Sequence, residues 1–151
     1  MGLSIFITGM SEQGIRSVIS NSPEETTQIA KGFAEILMPG DVVYLYGELG
    51  SGKTVFVKGI CAALGVKDAV TSPSFVIATE YEGSVKIAHI DLYRLPSDQV
   101  RDLPIEEYLV ENGIGLVEWA DRLDRVERGI KIRLTILGHE KRRIEIEDLR
   151  N

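Results

Sequence analysis

The sequence predicts one α/β domain with a mixed sheet, parallel in its centre and antiparallel at its hairpins, and flanked by helices. Three observations predict this class. A β-branched and aromatic run, Val42–Tyr46, is followed by a glycine-rich loop and then by the helical pattern Thr54–Leu64. Two pairs of strand-like segments each surround a short turn that contains glycine. A length of 151 residues, with no linker and no low-complexity tract, suits a single core.

The first predicted elements are an edge strand and a helix with a clear start. Ile15–Ser20 alternates weakly, as an edge strand does. Ser22 can cap the next helix, Pro23 fits its first position, and Glu25 completes a capping box. Residues 1–13 fit nothing in the later pattern, so we treat them as a possible N-terminal extension. The predicted apolar face of the helix consists of Ile29, Phe33, Ile36 and Leu37.

Two hairpins are predicted in the second half of the chain. The first joins Phe75–Tyr81 to Val85–Asp91 around the turn Glu82-Gly83. The second joins Ile130–Leu137 to Arg142–Glu147, and its alternation of apolar and polar residues predicts one face in water. These hairpins supply the antiparallel parts of the sheet.

The segments between the hairpins are shorter. Ile114–Val117 is apolar throughout and predicts a buried strand. We predict short helices at Ile105–Val110 and at Ala120–Val126. The stretch bracketed by Pro96 and Pro104 is expected to be irregular.

The loop after the first buried strand matches the P-loop pattern G-x-x-x-x-G-K-[ST] at residues 47–54. Strand, glycine loop and helix is the context that this motif requires. The glycines let backbone N–H groups turn inward around phosphate oxygens, and the helix N-terminus adds about half a positive charge. We therefore predict nucleotide binding by Gly47, Glu48, Leu49, Gly50, Ser51, Gly52, Lys53 and Thr54.

The chemistry of a P-loop protein also needs a metal site and a residue that acts on water. Lys53 should reach the β- and γ-phosphates, and the Thr54 hydroxyl should bind Mg²⁺. Asp91 ends a predicted strand and is the best candidate for the carboxylate on the metal, although a cap or turn residue is the ordinary reading. Glu118 ends another strand, where a carboxylate could orient an attacking water or simply begin a turn.

Other residues near these motifs allow more than one interpretation. Trp119 could stack on the nucleotide, pack in the core or mark a partner surface. Thr71 and Ser74 lie in a hydroxyl-rich loop that could sense a γ-phosphate or form only a turn. His89 is expected to be a hydrogen-bonded structural histidine rather than a catalytic base. The basic triplet Lys141–Arg143 is expected to be a solvated hairpin end.

Composition and missing motifs exclude several classes. The net charge of −6 argues against a broad, non-specific nucleic-acid surface. Cys61 is the only cysteine, which excludes an internal disulfide and a multi-thiolate zinc site. No apolar run approaches the ~20 residues that span a bilayer, so we expect a cytoplasmic protein with no membrane partner. Neither D-x-x-G after the P-loop nor N-K-x-D occurs, which favours ATP over GTP. A small-molecule kinase and an ATP-binding assembly scaffold are the alternatives.

Together these residues resemble the bacterial TsaE (YjeE) family, the ATPases of tRNA threonylcarbamoyladenosine biosynthesis. The P-loop alone is generic. The specific pieces are Asn21–Thr26, Thr71–Phe75, the H-x-D-L-Y-R run at His89–Leu95, and Leu116–Trp119, in the same order as in the family. One departure is that the family usually reads S-P-T where this chain has serine at position 74.

The resemblance implies a small ATP hydrolase, weak alone and stimulated by its partners, that uses ATP and Mg²⁺. It implies that the protein works with TsaB and TsaD and meets tRNA through that complex. Hydrolysis would then reset the complex between rounds of modification of ANN-decoding tRNAs. By match, Asp91 is the acid on the magnesium side, Glu118 is needed for hydrolysis, and Trp119 is an aromatic residue of the nucleotide site.

Overall fold

The computed structural model describes residues 14–71, 78–101, 103–124, 126 and 128–150. Within these residues one sheet has seven strands: β1 (Ile15–Ser20), β2 (Val42–Tyr46), β3 (Ala78–Glu82), β4 (Lys86–Asp91), β5 (Ile114–Glu118), β6 (Ile130–Ile136) and β7 (Arg142–Asp148). Their order in the sheet is β1-β7-β6-β2-β5-β4-β3. Pairing among β6, β2, β5 and β4 is parallel, and the β1–β7, β6–β7 and β3–β4 pairs are antiparallel. The predicted mixed sheet is thereby confirmed.

Two long helices cover one face of this sheet, α1 (Pro23–Phe33) and α2 (Lys53–Ala63). Their rings meet at Phe33 and Phe56, whose centroids lie 5.6 Å apart. The helices approach closely at Gly59, where a Cβ atom would overlap the α1 backbone and a side chain. The core on this face includes Ile29, Val43, Leu45, Ile60, Cys61, Leu116, Ile132 and Ile144.

The start of α1 forms as its sequence predicts. The Ser22 Oγ accepts a hydrogen bond from the Glu25 N–H at 3.1 Å, and Pro23 occupies the first turn. The Ser20 and Thr26 hydroxyls lie 2.7 Å apart and tie β1 to the helix. The end of α2 also matches, because Gly65 has the left-handed φ of 83° that stops a helix.

The stretch from β4 to β6 differs from the prediction. A short helix, α3 (Ser97–Arg101), forms where we expected irregular chain, because the Pro96 carbonyl accepts from the N–H groups of residues 99 and 100 and Val100 is fully buried. The predicted helix at 105–110 is a 3-10 turn, Ile105–Tyr108, and the one at 120–126 is a 3-10 turn, Ala120–Arg122. Both turns end because the next leucine adopts an extended backbone.

The carboxyl ends of four parallel strands lie at one edge of the sheet, which positions the site. β2 leads into the P-loop there, β4 ends at Asp91, and β5 ends at Glu118. On the second face of the sheet, a smaller core of α3 and the 3-10 turns packs against β4 and β5. No helix in the described part of the chain has the length and apolar character of a membrane span.

Candidate nucleotide-binding site

The P-loop connects β2 to α2 through residues that need glycine. Gly47 has a φ of 149°, and a Cβ atom there would overlap the Ser51 Oγ and the Leu134 carbonyl. Gly52 has a φ of 106° and directly precedes α2. Only glycine adopts these conformations at low cost. The local sequence therefore folds into a tight loop that ends against a helix N-terminus.

The first turn of α2 is open toward this loop. Gly52 provides no side-chain cap, and no acidic residue lies in the first turn. The unpaired N–H groups and the helix dipole therefore leave a partial positive charge there. Ser51 is fully buried, and its Oγ has no hydrogen-bond partner among the described residues. A buried, unpaired hydroxyl beside an open helix N-terminus fits a bound phosphate group.

Lys53 lies across the loop. Its Nζ donates to the carbonyl oxygens of Gly47 at 2.5 Å and Glu48 at 3.0 Å, and lies 3.9 Å from the centroid of the Trp119 ring. The residue is only 5% exposed. Burial lowers the pKa of Lys53, and the carboxylates of Glu118, Asp121 and Asp91 oppose that shift.

Glu118, at the end of β5, contacts β4 and the P-loop helix α2 through its side chain. Its carboxylate accepts from the Thr54 hydroxyl at 3.0 and 3.3 Å, and lies 2.5 Å from His89 Nε2. Both Glu118 and His89 are buried, at 2% and 0% exposure. The structure therefore places the predicted water-orienting acid beside the predicted metal-binding hydroxyl, with His89 fixing the carboxylate from β4.

Asp91 lies next to Glu118 across the parallel β4–β5 pair. Its Oδ1 accepts from the Tyr93 N–H at 2.9 Å, so the carboxylate also holds the turn after β4. The structure thus brings the two predicted acids to adjacent strand ends. Asp91 is partly exposed, whereas Glu118 is buried.

The structure shows core packing for Trp119, one of the three environments considered from sequence, and the other two stay predictions. It packs against the second core and its ring lies 4.8 Å from that of Tyr93. Trp119 also lines a cavity of about 330 Å³ beside the P-loop, and Tyr46, Asp121 and Arg133 are among its other lining residues. Its φ of 60° is unusual for a bulky residue and marks a strained backbone next to Glu118.

The two predicted sensor residues have different outcomes. Thr71 is exposed, and its backbone is tied to the Tyr81 hydroxyl, with the Thr71 N–H 3.4 Å and the Thr71 carbonyl 3.2 Å away. Ser74 lies outside the described residues. The sensor role of this loop therefore stays a prediction.

Sequence reasoning did not predict the contacts between Arg142 and the P-loop. The triplet 141–143 was expected to be a solvated hairpin end, but Arg142 donates from Nε to the Ser51 carbonyl at 3.0 Å and from Nη2 to the Gly50 carbonyl at 3.1 Å. Arg142 also lines a groove of about 130 Å³ with Pro23, Thr26 and Val55. The only sequence signal was a basic residue at the start of a strand, and that signal is not specific.

Comparison with known proteins identifies the family. The family described as Threonylcarbamoyl adenosine biosynthesis protein TsaE matches residues 20–145. A Bacillus subtilis tRNA threonylcarbamoyladenosine biosynthesis protein TsaE is 40% identical over 126 residues, 82% of this chain and 79% of that protein. The Aquifex aeolicus TsaE is 40% identical over 135 residues, 87% of this chain and 96% of that protein.

A solved structure supports the same assignment. The crystal structure of Bacillus subtilis YdiB aligns with a TM-score of 0.74 and 33% identity, covering 94% of this chain and 89% of that one. Fold and sequence agree over nearly the whole chain. This chain belongs to the TsaE family of tRNA threonylcarbamoyladenosine biosynthesis.

Proposed function

We propose that this chain binds ATP with Mg²⁺ and hydrolyses it in the threonylcarbamoyladenosine modification of ANN-decoding tRNAs. The observation that carries the proposal is the 3.0 Å contact between the Thr54 hydroxyl and the Glu118 carboxylate, next to the uncapped start of α2. It joins a P-loop hydroxyl and a strand-end acid in one crevice, which is where P-loop hydrolases keep their metal and their attacking water. The missing guanine-reading motif favours ATP.

The residues on the metal side fit magnesium. Mg²⁺ neutralises charge on the phosphates when bound. The Thr54 hydroxyl and the Asp91 carboxylate are oxygen donors of the kind that Mg²⁺ prefers. No group of three His, Cys, Asp or Glu side chains able to hold a metal occurs within the described ranges. Magnesium usually binds through one or two carboxylates, waters and substrate phosphates.

Lys53 and Glu118 then have separate tasks. Lys53 exchanges the Gly47 and Glu48 carbonyls for phosphate oxygens, a change that its flexible stem allows. Its positive charge stabilises the charge that develops on the phosphates. Glu118 orients a water through its carboxylate, and His89 holds that carboxylate at 2.5 Å.

The geometry favours hydrolysis over passive nucleotide holding. An assembly scaffold that only retains ATP needs no acid directed at the P-loop. Glu118 instead is buried and faces Thr54. A small-molecule kinase would need an acceptor site and an arginine-bearing lid, and no contact among the described residues specifically favours that alternative.

We also propose that the chain acts in the cytoplasm with TsaB and TsaD. The net charge of −6 makes the isolated chain a poor tRNA binder, so tRNA is met through the complex. Hydrolysis by the isolated chain is slow. Hydrolysis in the presence of TsaB and TsaD is faster and resets their complex between turnovers.

The experiment measures phosphate release and modified tRNA together, with TsaB and TsaD each omitted in turn. We expect the complete mixture to raise the hydrolysis rate of the wild type several-fold and to sustain repeated rounds of modification. Lys53→Ala should remove both effects, whereas Lys58→Ala, an exposed lysine of the same helix, should remove neither. Full multiple-turnover modification with the Lys53→Ala protein would contradict the proposal.

A further inference from the structure

We propose that Arg142 is a positioning residue for the P-loop, which holds the Gly50 and Ser51 carbonyl groups so that the Gly52 N–H faces the anion. The inference rests on the proposed nucleotide binding, since it assigns Arg142 a part in forming that site. Arg142 is partly buried at the start of β7, and the cavity that it lines with Gly50 and Ser51 is not the one lined by Trp119.

The contacts to the loop are specific. The Arg142 guanidinium donates to two consecutive carbonyl oxygens, those of Gly50 at 3.1 Å and Ser51 at 3.0 Å. These residues are more than 90 positions away in the sequence, so the contact depends on the fold. Hydrogen bonds from a charged donor are roughly twice as strong as neutral ones.

The same guanidinium is anchored on its other side. Its Nη1 donates to the carbonyls of Gly138 and Lys141, both at 2.9 Å, and more weakly to that of His139 at 3.4 Å. Arg142 therefore connects the P-loop to the turn between β6 and β7. A planar fork of N–H groups is required to reach both sides, and lysine does not have one.

The planar peptide bond makes each carbonyl contact fix the direction of the next N–H group. In a planar trans peptide the C=O of one residue and the N–H of the next point in opposite directions. Holding the Ser51 carbonyl toward Arg142 therefore turns the Gly52 N–H to the opposite side, the inside of the loop. Gly50 and Gly52, with φ values of 80° and 106°, have no side chains to restrict the loop. The Ser51 N–H bonds the Glu48 carbonyl within the loop, and Arg142 fixes the two carbonyls that follow.

The next residue offers a matched control. Arg143 carries the same charge, but strand alternation directs it to the opposite face of β7, where it is exposed and pairs in register with Ile19 and Thr135. Removing Arg143 changes the net charge as much as removing Arg142 does, without touching the P-loop carbonyls.

The test compares the wild type with Arg142→Ala, Arg142→Lys and Arg143→Ala. ADP and pyrophosphate are titrated with the fluorescence of Trp119, the only tryptophan, as the signal. Hydrogen exchange is measured in parallel without ligand. We expect both Arg142 variants to weaken ADP and pyrophosphate binding about ten-fold, as for loss of charge-assisted hydrogen bonds. They should also speed amide exchange at residues 50–52 but not in α1. Arg143→Ala should stay within about two-fold of the wild type.

The outcomes separate the inference from the proposed function. A wild type that binds neither ADP nor pyrophosphate would contradict nucleotide binding itself. The exchange data would still test whether Arg142 orders residues 50–52. Wild-type affinity in Arg142→Lys would overturn the inference, because charge alone would then suffice. Weakened ADP binding with unchanged pyrophosphate binding and unchanged exchange would overturn it too, since Arg142 would then contact the nucleoside directly. If the alanine variant is unfolded, the lysine variant decides.

Discussion

Helices α1 and α2 have the same length and pack side by side, yet their first turns are built in opposite ways. The N-terminus of α1 is capped by its own residues. Ser22 accepts from the Glu25 N–H, Pro23 has no N–H to leave unpaired, and Glu24 and Glu25 place negative charge at the positive end of the helix dipole. α2 begins after Gly52 with no side-chain cap and no acid in its first turn. Residues of α1 and its cap satisfy the N-terminus of that helix, whereas the N–H groups at the start of α2 remain available to a ligand.

The difference shows where this fold gives up stability for binding. An uncapped helix start and a buried lysine both cost free energy in the unliganded protein. Lys53 sits in that open turn with its pKa lowered by burial, over the Trp119 ring. The acid that α2 lacks is supplied by Glu118 from β5, a strand away in the sheet, through the Thr54 hydroxyl.

The largest expected effect comes from Lys53→Met at the open turn. This variant keeps the volume of the side chain but removes its charge, so hydrolysis should fall by about 10²-fold or more, as for loss of a group that stabilises transition-state charge. Stability should stay equal or rise, because a buried ammonium group is lost. Phosphate release and urea unfolding measure the two quantities, with Lys58→Met on the exposed side of α2 as control. Unchanged hydrolysis, or a large loss of stability, would contradict this reading.

The next largest effect distinguishes the two acids at the ends of β4 and β5, Asp91 and Glu118. Glu118→Gln keeps an acceptor for Thr54, so nucleotide affinity should change little while the rate at saturation falls about 10²-fold, as for a group used in the transition state. Asp91→Asn should instead raise the Mg²⁺-dependent Kd about ten-fold. Titration with a fluorescent ATP analogue and phosphate release distinguish the two. Exposed Glu111, changed to Gln, is the control, and a reversed pattern would exchange the roles of Asp91 and Glu118.

What could be predicted from sequence was local. The capped start of α1, the β2 strand and the P-loop follow from neighbouring residues, because caps, β-branched runs and glycine turns act over a few positions. The helix Ser97–Arg101 was missed because so short a helix depends on tertiary burial of Val100. The strand-end positions of Asp91 and Glu118 were visible in the pattern.

The side-chain contacts of His89 and Arg142 at the site could not be predicted from the sequence, because they depend on which strands are neighbours in the sheet. His89 reaches Glu118 only because β4 pairs with β5 in the register that places Asp91 opposite Glu118. Arg142 reaches Ser51 only because β6 lies next to β2 and turns back into β7. Neither adjacency follows from spacing along the chain. The roles of Asp91, Glu118 and the P-loop residues stay predictions until the variants are measured.

A smaller effect is expected at the capped first turn of α1, where Ser22→Ala should lower the free energy of unfolding by about 1 kcal/mol. The Glu25 N–H loses its acceptor, while the P-loop is untouched, so ADP affinity should not change. Ser22→Gly is the matched control, since glycine at a cap costs only a few tenths of a kcal/mol (about 0.3). Urea unfolding and ADP titration measure the pair. Loss of ADP affinity without loss of stability would show that α1 also serves the ligand.

The smallest expected effect is the pH dependence of the unfolding free energy that comes from Lys53, in the first turn of α2. Burial lowers the pKa of Lys53 below the 10.5 of the unfolded chain, so between those two values the unfolded state binds more protons. Stability of the wild type should therefore rise with pH in that window, relative to Lys53→Met, which has no group to titrate. Below the lowered pKa the two proteins should differ by a constant amount, with the wild type no more stable than Lys53→Met. The difference in unfolding free energy, followed from pH 7 toward about pH 10 at fixed salt, measures this. A difference that stays flat, or that grows as the pH rises, would mean that burial does not penalise the Lys53 charge, and the contrast between the two helix starts would then rest on capping alone.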